Sequence, residues 1–318
     1  MRIGIAEIGS KTTRLMIADF DSRGDFRIVN ATSESHGINL ETTDESSLVK
    51  VNEIGELAHK FLDLFGCDKT LVYGTELCRQ LSRTYGDKKI NNIYVMSSGE
   101  EGKASWLSSL LCERGRFENK LFTVVDQGAG SLEILTAKWS NRTIEVVENH
   151  SFKLGHQLGQ KMFEEAPNDH LNKVSNLLKL IETELSVHSR KNTRSEKVYL
   201  QGSVATKLAW LKVRPAGVDR DRYNNKFING VKLNYDWMLG EYQKLYKMFC
   251  ENYEEGVAYV DARPNGKNDF AMVVSNLPIL LLLIGKIGHS SQSYVSGYGT
   301  RHGVAFMMTN KLIGNSHE

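Results

Sequence analysis

Two carboxylates flank a short glycine- and serine-rich stretch in the middle of the chain. The segment 126–133 reads DQGAGSLE. Its glycines allow a turn with positive φ and a close approach to a ligand, and successive main-chain N–H groups in such a turn form a nest for phosphate oxygens. Asp126 and Glu133 supply hard oxygen ligands of the kind that hold Mg²⁺ against a substrate phosphate. Read alone, the same pattern is equally typical of an ordinary hairpin.

An earlier segment repeats this pattern. Residues 7–13 read EIGSKTT, and the acid of this acid-x-glycine unit, Glu7, lies 119 residues before Asp126. Because β-rich stretches flank both units, we predict that one strand–tip–strand hairpin occurs twice in the chain. Two such tips that face one cleft can clamp a phosphoryl group from both sides. The repeat therefore favours phosphate binding over an ordinary hairpin.

A pair of adjacent acids begins a predicted helix. The segment 97–103 reads SSGEEGK and follows a predicted strand. Acids in a first helical turn interact favourably with the helix dipole, which explains Glu100 and Glu101 without any function. Alternatively, one carboxylate activates a water for in-line attack on phosphorus. Spacing alone leaves both interpretations open.

The elements that must position these residues alternate between strand and helix, which predicts an α/β fold. We place domains at 1–119 and 120–318 with an interdomain cleft, and leave open whether the final helix, 302–312, packs on the first domain. In the first half we predict a strand at 2–6, a second strand whose apolar residues are at 15, 17 and 20, and further strands at 70–73 and 93–96. We predict helices there at 51–65, 77–85 and 100–112. In the second half we predict strands at 121–125, 132–137, 143–147 and 197–200, and helices at 155–163, 170–187 and 235–253, with a buried helix around 277–284.

Composition indicates an ordinary globular protein. The chain has 318 residues, 41% of them hydrophobic and 25% charged, which suits two domains. The longest apolar run, Leu277–Ile284, is too short to span a bilayer, and the four cysteines have no metal-site spacing. We expect a cytoplasmic protein without a membrane partner. The net charge of +2 gives no argument for nucleic acid.

The charge is unevenly distributed. Residues 188–226 contain ten lysines and arginines against three acids. Such a segment predicts a surface that can hold a polyanion, although solvated basic side chains on loops explain it equally well.

Seven strings resemble, in order, the motifs of the exopolyphosphatase/guanosine pentaphosphate phosphatase family. They are AEIGSKTTRL, YGTELCRQ, SSGEEGKAS, VVDQGAGSLE, SFKLGHQLG, QGSVATKLA and VSGYGTRHG. The family patterns include D-x-G-S-N-S-x-R-L, T-x-x-x-R, S-G-x-E-E-A and D-x-G-G-G-S-T-E. The resemblance covers nearly the whole chain and fits the short, two-domain members. It implies a duplicated α/β fold of the actin/hexokinase/Hsp70-like (ASKHA, ribonuclease H-like) type.

The resemblance also implies roles for individual residues. Glu101 matches the family's catalytic base, and Arg79 matches the arginine that reaches phosphate. Asp126 and Glu133 match the acids that coordinate metal, with Mg²⁺ as the expected cation. The residues that match phosphate-binding positions are Ser10, Thr12, Gly128, Ala129, Gly130, Ser131 and Arg301.

Several positions depart from the family patterns. They are Glu7 for Asp, Lys11 for Asn, Ala129 for Gly, Leu132 for Thr, Leu158 for Arg and His302 for an acid. The base and both acids of the second hairpin are retained. We therefore expect metal-assisted hydrolysis of the terminal phosphoanhydride bond of polyphosphate.

Three alternatives remain. Guanosine pentaphosphate is the second substrate that the resemblance implies. A non-catalytic regulatory protein that binds polyphosphate or nucleotide is favoured by the altered positions. A sugar or acetate kinase of the same superfold is disfavoured by the SSGEEG string, since a fold alone does not fix chemistry. The family resemblance also makes a homodimer an expectation to test.

Overall fold

The chain forms two compact units. The computed structural model describes residues 1–21, 26–38, 42–112, 118–141, 143–188, 195–213, 228–260, 266–287 and 292–309. The first unit contains Met1–Ser108 together with the C-terminal helix from Thr300, and the second contains Ser109–Gly299. The division therefore falls earlier in the chain than the boundary that we predicted between residues 119 and 120.

The first unit contains a five-stranded mixed sheet. Its order is β3-β2-β1-β4-β5, in which β1, β2 and β3 form an antiparallel meander and β4 and β5 continue the sheet in parallel. The strands are β1 (Arg2–Ile8), β2 (Thr12–Phe20), β3 (Phe26–Ser35), β4 (Lys69–Gly74) and β5 (Tyr94–Val95). β3 was not predicted, because this edge strand is largely exposed and carries no alternating apolar pattern.

Four helices belong wholly or mainly to the first unit. They are α1 (Glu45–Asp63), α2 (Glu76–Tyr85), α3 (Ser98–Leu110) and, near the C-terminus, α10 (Thr300–Thr309). The prediction that α1 begins at residue 51 was wrong. Asp44 caps the helix by accepting from the Ser47 N–H at 2.9 Å, and the Ser47 side chain completes a capping box. This cap allows a polar first turn that carries little apolar periodicity.

The second unit repeats the strand pattern of the first. Its six-stranded sheet has the order β10-β11-β9-β6-β7-β8, with a β6–β7–β8 antiparallel meander and with β9 parallel to β6. The strands are β6 (Leu121–Gln127), β7 (Leu132–Ser140), β8 (Thr143–Phe152), β9 (Lys197–Gly202), β10 (Lys232–Asn234) and β11 (Gln292–Val295).

The repeat extends to an irregularity in the meander. The register between the second and third strands shifts after Ile17 in the first unit and after Thr136 in the second. These positions are 119 residues apart, the same offset that separates the two acid-x-glycine units. The predicted duplicated α/β architecture is confirmed.

The helices of the second unit surround one buried helix. They are α4 (His156–Glu165), α5 (His170–His188), α6 (Ser203–Val213), α7 (Tyr235–Glu251), α8 (Tyr253–Val260) and α9 (Gly266–Ile287). α9 packs against all five others, and its predicted apolar stretch is buried. The helix predicted over 235–253 is interrupted at Asn252, and α6 was not predicted. Among the described residues, none of the helices combines the length and apolar composition needed to cross a membrane.

Candidate active site

The tip of the first hairpin is a tight turn between β1 and β2. The Gly9 N–H donates to the Thr12 carbonyl at 3.0 Å. Ser10 is buried at this tip, whereas Lys11 is exposed and Thr12 is half-buried. The buried Thr13 hydroxyl has no hydrogen-bond partner among the described residues. The tip thus presents Ser10 and Thr12, which we predicted to bind phosphate, beside a hydroxyl group that still has a hydrogen bond to make.

His36 holds this tip in place. Its Nε2–H donates to the Gly9 carbonyl at 2.9 Å, and its Nδ1 accepts from the Ile38 N–H at 3.2 Å. This pair of bonds requires the neutral ring. Burial lowers the pKa of His36, which favours the same form. Sequence reasoning missed His36, since a histidine without a helical partner or metal spacing carries no recognisable signal.

Backbone hydrogen bonds align the carboxyl ends of β1, β4 and β5. The Thr75 N–H donates to the Ile8 carbonyl at 3.1 Å, and the Met96 N–H donates to the Gly74 carbonyl at 3.0 Å. The carboxyl ends of adjacent parallel strands are where open α/β sheets bind ligands. α2 and α3 begin at this edge, so that their first turns bring Arg79 and Glu101 to it.

Arg79 and Glu101 form a buried ion pair. The Arg79 Nη1 lies 2.7 Å from Glu101 Oε2 and donates also to the Met96 carbonyl, while Nε bonds Glu76 at 3.0 Å. Burial alone would lower the pKa of Arg79, but the two carboxylates outweigh it and the pKa is raised. Arg79 is only 8% exposed, and its Nη2 has no hydrogen-bond partner among the described residues. Its guanidinium therefore still has donors to offer an anion.

The structure separates the roles of the two adjacent acids. Glu100 Oε2 accepts from the Ser97 N–H at 2.9 Å and from the Ser97 hydroxyl at 2.7 Å, and Tyr94 also donates to this carboxylate. These bonds lower the pKa of Glu100 although burial opposes the shift. Glu100 thus stabilises the start of its own helix, whereas Glu101 contacts the arginine.

The third predicted phosphate-binding group of this unit, Arg301, lies beside Glu7. Arg301 Nε is 3.6 Å from Glu7 Oε2, and Arg14 Nη1 is 3.8 Å from Glu7 Oε1. These separations are ion pairs rather than hydrogen bonds. Burial raises the pKa of Tyr73 well above its ordinary value, with Glu7 adding to the shift. Two cations thus offset the charge of the acid that departs from the family pattern.

The second hairpin brings the two predicted metal-binding acids together. Asp126 and Glu133 are direct cross-strand partners in the β6–β7 register, so their side chains share one face of the sheet. Glu133 is 2% exposed, and one of its oxygens accepts from the Ser151 hydroxyl at 3.2 Å. The turn repeats the bond of the first tip, since the Gly128 N–H donates to the Ser131 carbonyl at 2.9 Å.

The start of α4 holds the loop Gly128–Ser131, which we call the phosphate loop after the role predicted for it from the sequence. The His156 N–H donates to the Gly128 carbonyl at 2.9 Å, and the Gln157 N–H donates to the Ala129 carbonyl at 3.1 Å. These bonds orient two loop carbonyls toward α4. The residue before His156 must be glycine, because a Cβ on Gly155 would lie 2.1 Å from the Ala129 carbonyl oxygen.

The two loop glycines would allow positive φ, but the turn does not use this freedom. Neither Gly128 nor Gly130 has positive φ, and a Cβ on Gly128 would make only an ordinary contact at 3.5 Å. Gly202 is the glycine with positive φ beside the loop (φ +96°), and a Cβ there would lie 2.1 Å from the Gln127 oxygen. Glycine is thus needed in the segments that pack on the loop.

The acid pair suits a hard divalent cation that also binds substrate. Within the described part of the chain, no group of three or more His, Cys, Asp or Glu side chains is arranged to hold a metal ion. Mg²⁺ commonly binds one or two carboxylates and completes its shell with water and substrate phosphate. Asp126 and Glu133, opposite one another in register, fit this mode.

Seven of the ten lysines and arginines in the basic segment 188–226 lie outside the described residues. The three lysines of it that the structure describes have local contacts. Lys207 pairs with Asp269 at 2.8 Å, Lys212 donates to the Lys232 carbonyl at 2.7 Å, and Lys197 lies 5.1 Å from the ring centre of Tyr294. The predicted polyanion surface stays a prediction.

The fold is that of known exopolyphosphatase-type proteins. The Ppx/GppA family member of Aquifex aeolicus superimposes with a TM-score of 0.75 at 18% identity, covering 100% of this chain and 99% of that one. The type II variant of the Aquifex aeolicus Ppx/GppA phosphatase gives 0.70 at 20% identity, covering 96% and 98%. An exopolyphosphatase from Cytophaga hutchinsonii gives 0.70 at 16% identity, covering 98% of each chain.

No protein-family model matches the sequence of this chain, and no curated protein matches it either. The structural similarities therefore establish the fold, a two-domain actin-like α/β architecture, and leave the chemistry to be argued from the residues.

Proposed function

We propose that this protein is a phosphoanhydride hydrolase of the exopolyphosphatase type, which releases the terminal phosphate of inorganic polyphosphate. The observation that carries the proposal is the buried Arg79–Glu101 pair at 2.7 Å, together with the Arg79 Nη2, which has no hydrogen-bond partner among the described residues. A buried cation that keeps free donors suits an anionic ligand with several oxygens. A carboxylate fixed beside that cation can accept a proton from a water molecule next to the bound ligand.

In the proposed reaction, Glu101 accepts a proton from water as the water oxygen attacks the terminal phosphorus. A new P–O bond forms, and the bond from that phosphorus to the bridging oxygen breaks. The bridging oxygen keeps the electron pair, so the shortened polyphosphate leaves as an anion and orthophosphate is released. Arg79 donates to the phosphoryl oxygens and holds Glu101 in one orientation through the ion pair.

The second unit, taken by itself, carries groups that suit a phosphate and a metal ion. N–H groups of the phosphate loop and the Ser131 hydroxyl would bind phosphate oxygens. Asp126 and Glu133 would hold Mg²⁺, which when bound neutralises phosphoryl charge and so eases attack by water. Ser151 donates to Glu133 at 3.2 Å and limits the orientations of that carboxylate.

The two adjacent acids offer a matched test. We would measure phosphate release from polyphosphate by the wild type, Glu101→Gln and Glu100→Gln, with Mg²⁺ present. Removing a general base costs on the order of 10²–10⁴ in rate, so Glu101→Gln should lose activity on that scale. Glu100→Gln, which affects the helix start, should keep most of it. Equal activity of the wild type and Glu101→Gln would refute the assignment.

The same assay compares candidate substrates. Guanosine pentaphosphate in place of polyphosphate tests the second substrate that the sequence implies. Ligand binding without any phosphate release at saturating Mg²⁺ would favour the regulatory alternative over hydrolysis.

A further inference from the structure

We infer that Gln127 and Asn276 form a brace that positions the phosphate loop, and that they are positioning residues for the proposed reaction. Gln127 is the last residue of β6, directly before the loop, and Asn276 lies in the middle of α9. Both side chains are fully buried. The inference rests on the proposed function for its kinetic consequence, while the brace itself rests on hydrogen bonds.

The brace links the two segments that define the loop. Gln127 Nε2 donates to Asn276 Oδ1 at 2.9 Å, and Asn276 Nδ2 donates to the His156 carbonyl at 3.0 Å. The His156 N–H in turn donates to the Gly128 carbonyl at 2.9 Å. Since Gly128 follows Gln127 in the chain, these bonds close a ring. One side chain of α9 thus fixes both the strand that enters the loop and the helix turn that bonds to it.

The hydrogen bonds allow only one orientation of the Asn276 amide. Its Nδ2 faces two carbonyl oxygens, those of His156 and Met272, each at 3.0 Å. Carbonyl oxygens only accept, so this end of the amide must be the NH₂ group. Oδ1 must therefore face Gln127, whose own NH₂ group is its donor.

The surrounding chain makes room for this amide. A Cβ on Gly159, in α4, would lie 2.3 Å from Asn276 Oδ1. Any larger residue at 159 would push α4 away from α9 or displace the Asn276 side chain. The close approach of the two helices at Gly159 is therefore part of the brace.

Stability alone does not account for a polar pair at this depth. Gln127 Oε1 is buried and has no hydrogen-bond partner among the described residues. A buried acceptor without a partner costs on the order of 1–3 kcal/mol, and an apolar side chain of the same size avoids that cost. A hydrogen-bonded pair, unlike an apolar one, fixes a single geometry. The geometry fixed here is that of the loop.

The test compares substitutions on the two sides of the brace with a control on the same strand. Gln127→Met and Asn276→Leu each remove the bond between the two side chains with little change of size. Thr123→Val is the control, because it removes the buried Thr123–Thr136 hydroxyl bond of 2.8 Å from β6, away from the loop. For each protein we would measure thermal stability, kinetics of phosphate release, and hydrogen exchange of the His156 and Gln157 amides.

We expect the brace variants and the control to lose similar stability but to differ in the kinetics of phosphate release. Displacing a positioned group costs on the order of tenfold or more in kcat/KM. Either brace variant should lose about that much, while Thr123→Val should stay within about twofold of the wild type at a similar loss of Tm. The double variant should lose little more than the larger single variant, because both break the same contact. Exchange at His156 and Gln157 should accelerate in the brace variants only.

The outcomes distinguish the two proposals. A wild type that releases no phosphate would refute the proposed function, and the exchange rates would still decide whether the brace holds the loop. Brace variants with wild-type exchange at His156 and Gln157, or with kinetics no different from those of Thr123→Val, would overturn the inference. If one brace variant does not fold, the other provides the same comparison from the opposite side.

Discussion

Replacing Arg79 by methionine should damage both stability and activity, for reasons that can be worked out from its contacts. The guanidinium lies between Glu76 and Glu101, whose side chains are only 12% and 11% exposed. Methionine fills similar space but removes the Arg79 cation from two nearly buried carboxylates, of which Glu76 keeps its contact with Arg83 at 3.4 Å. The Met96 carbonyl also loses a donor.

The expected loss of stability is large. Removing one partner of a buried ion pair costs about 3–5 kcal/mol. Because Glu76 keeps its contact with Arg83, we expect a loss within that range rather than above it. At about 2–4 °C for each kcal/mol in a domain of 150–250 residues, the Tm should fall by roughly 6–20 °C. Phosphate release measured well below the new Tm should fall on the order of 10²-fold, since a buried donor to the phosphoryl group is lost.

A neighbouring arginine serves as the control. Arg83 also pairs with Glu76, at 3.4 Å, but its side chain is 56% exposed. Exposed pairs contribute about 0–1 kcal/mol, so Arg83→Met should shift the Tm by only a few degrees. Thermal unfolding followed by circular dichroism measures both variants. Adding Glu101→Gln to Arg79→Met should restore part of the stability, because it removes one of the two carboxylate charges that the Arg79 cation had offset. An Arg79→Met Tm equal to that of Arg83→Met, or no recovery in the double variant, would refute the reasoning.

Three further predictions follow from the two hairpins and their supports. Gly155→Ala should raise the KM for polyphosphate by forcing the phosphate loop away, whereas Gly240→Ala, where a Cβ meets nothing within 4 Å, should leave it unchanged in the same assay. Glu133→Gln should raise the Mg²⁺ concentration for half-maximal phosphate release by on the order of tenfold, as a metal titration would show. Burial lowers the pKa of His36 and of His170, so the unfolded chain binds more protons as pH falls below about 6.5. The Tm should therefore fall between about pH 7 and 5.5, and His36→Gln should flatten that dependence; an unchanged pH profile in this variant would contradict the assignment.

The duplicated hairpin was predictable from sequence because its signal is local. An acid, a glycine and a serine at one spacing, flanked by β-rich residues, occur at Glu7 and again at Asp126. Hairpin formation depends on neighbouring residues in the chain, so the pattern specifies the turn. The cross-strand pairing of Asp126 with Glu133 follows from the same local geometry.

The supports of the site were not predictable, because they come from distant parts of the chain. Nothing near the phosphate loop in sequence indicates that Asn276 would bond Gln127, 149 residues away. The bond from His36 to the Gly9 carbonyl likewise joins segments that sequence does not connect. Such contacts depend on packing of whole elements, which a single sequence does not display.

Sequence also could not choose between adjacent residues on one helix. Glu100 and Glu101 both fit an acidic first turn, and only the structure shows that one bonds Ser97 while the other contacts Arg79. Sequence likewise could not show where glycine is required. The loop glycines allow positive φ, whereas the steric need for glycine lies at Gly155 and Gly202, which pack on the loop from other elements.

Water as the nucleophile is the central claim, and the fate of its oxygen tests it most directly. We would incubate the protein with polyphosphate and Mg²⁺ in water enriched in oxygen-18 and analyse the released orthophosphate by mass spectrometry. Attack by water at the terminal phosphorus predicts one solvent oxygen in each phosphate released. Phosphate without solvent oxygen, or a phosphoryl group that is passed to an added acceptor such as ADP, would contradict the proposed hydrolysis.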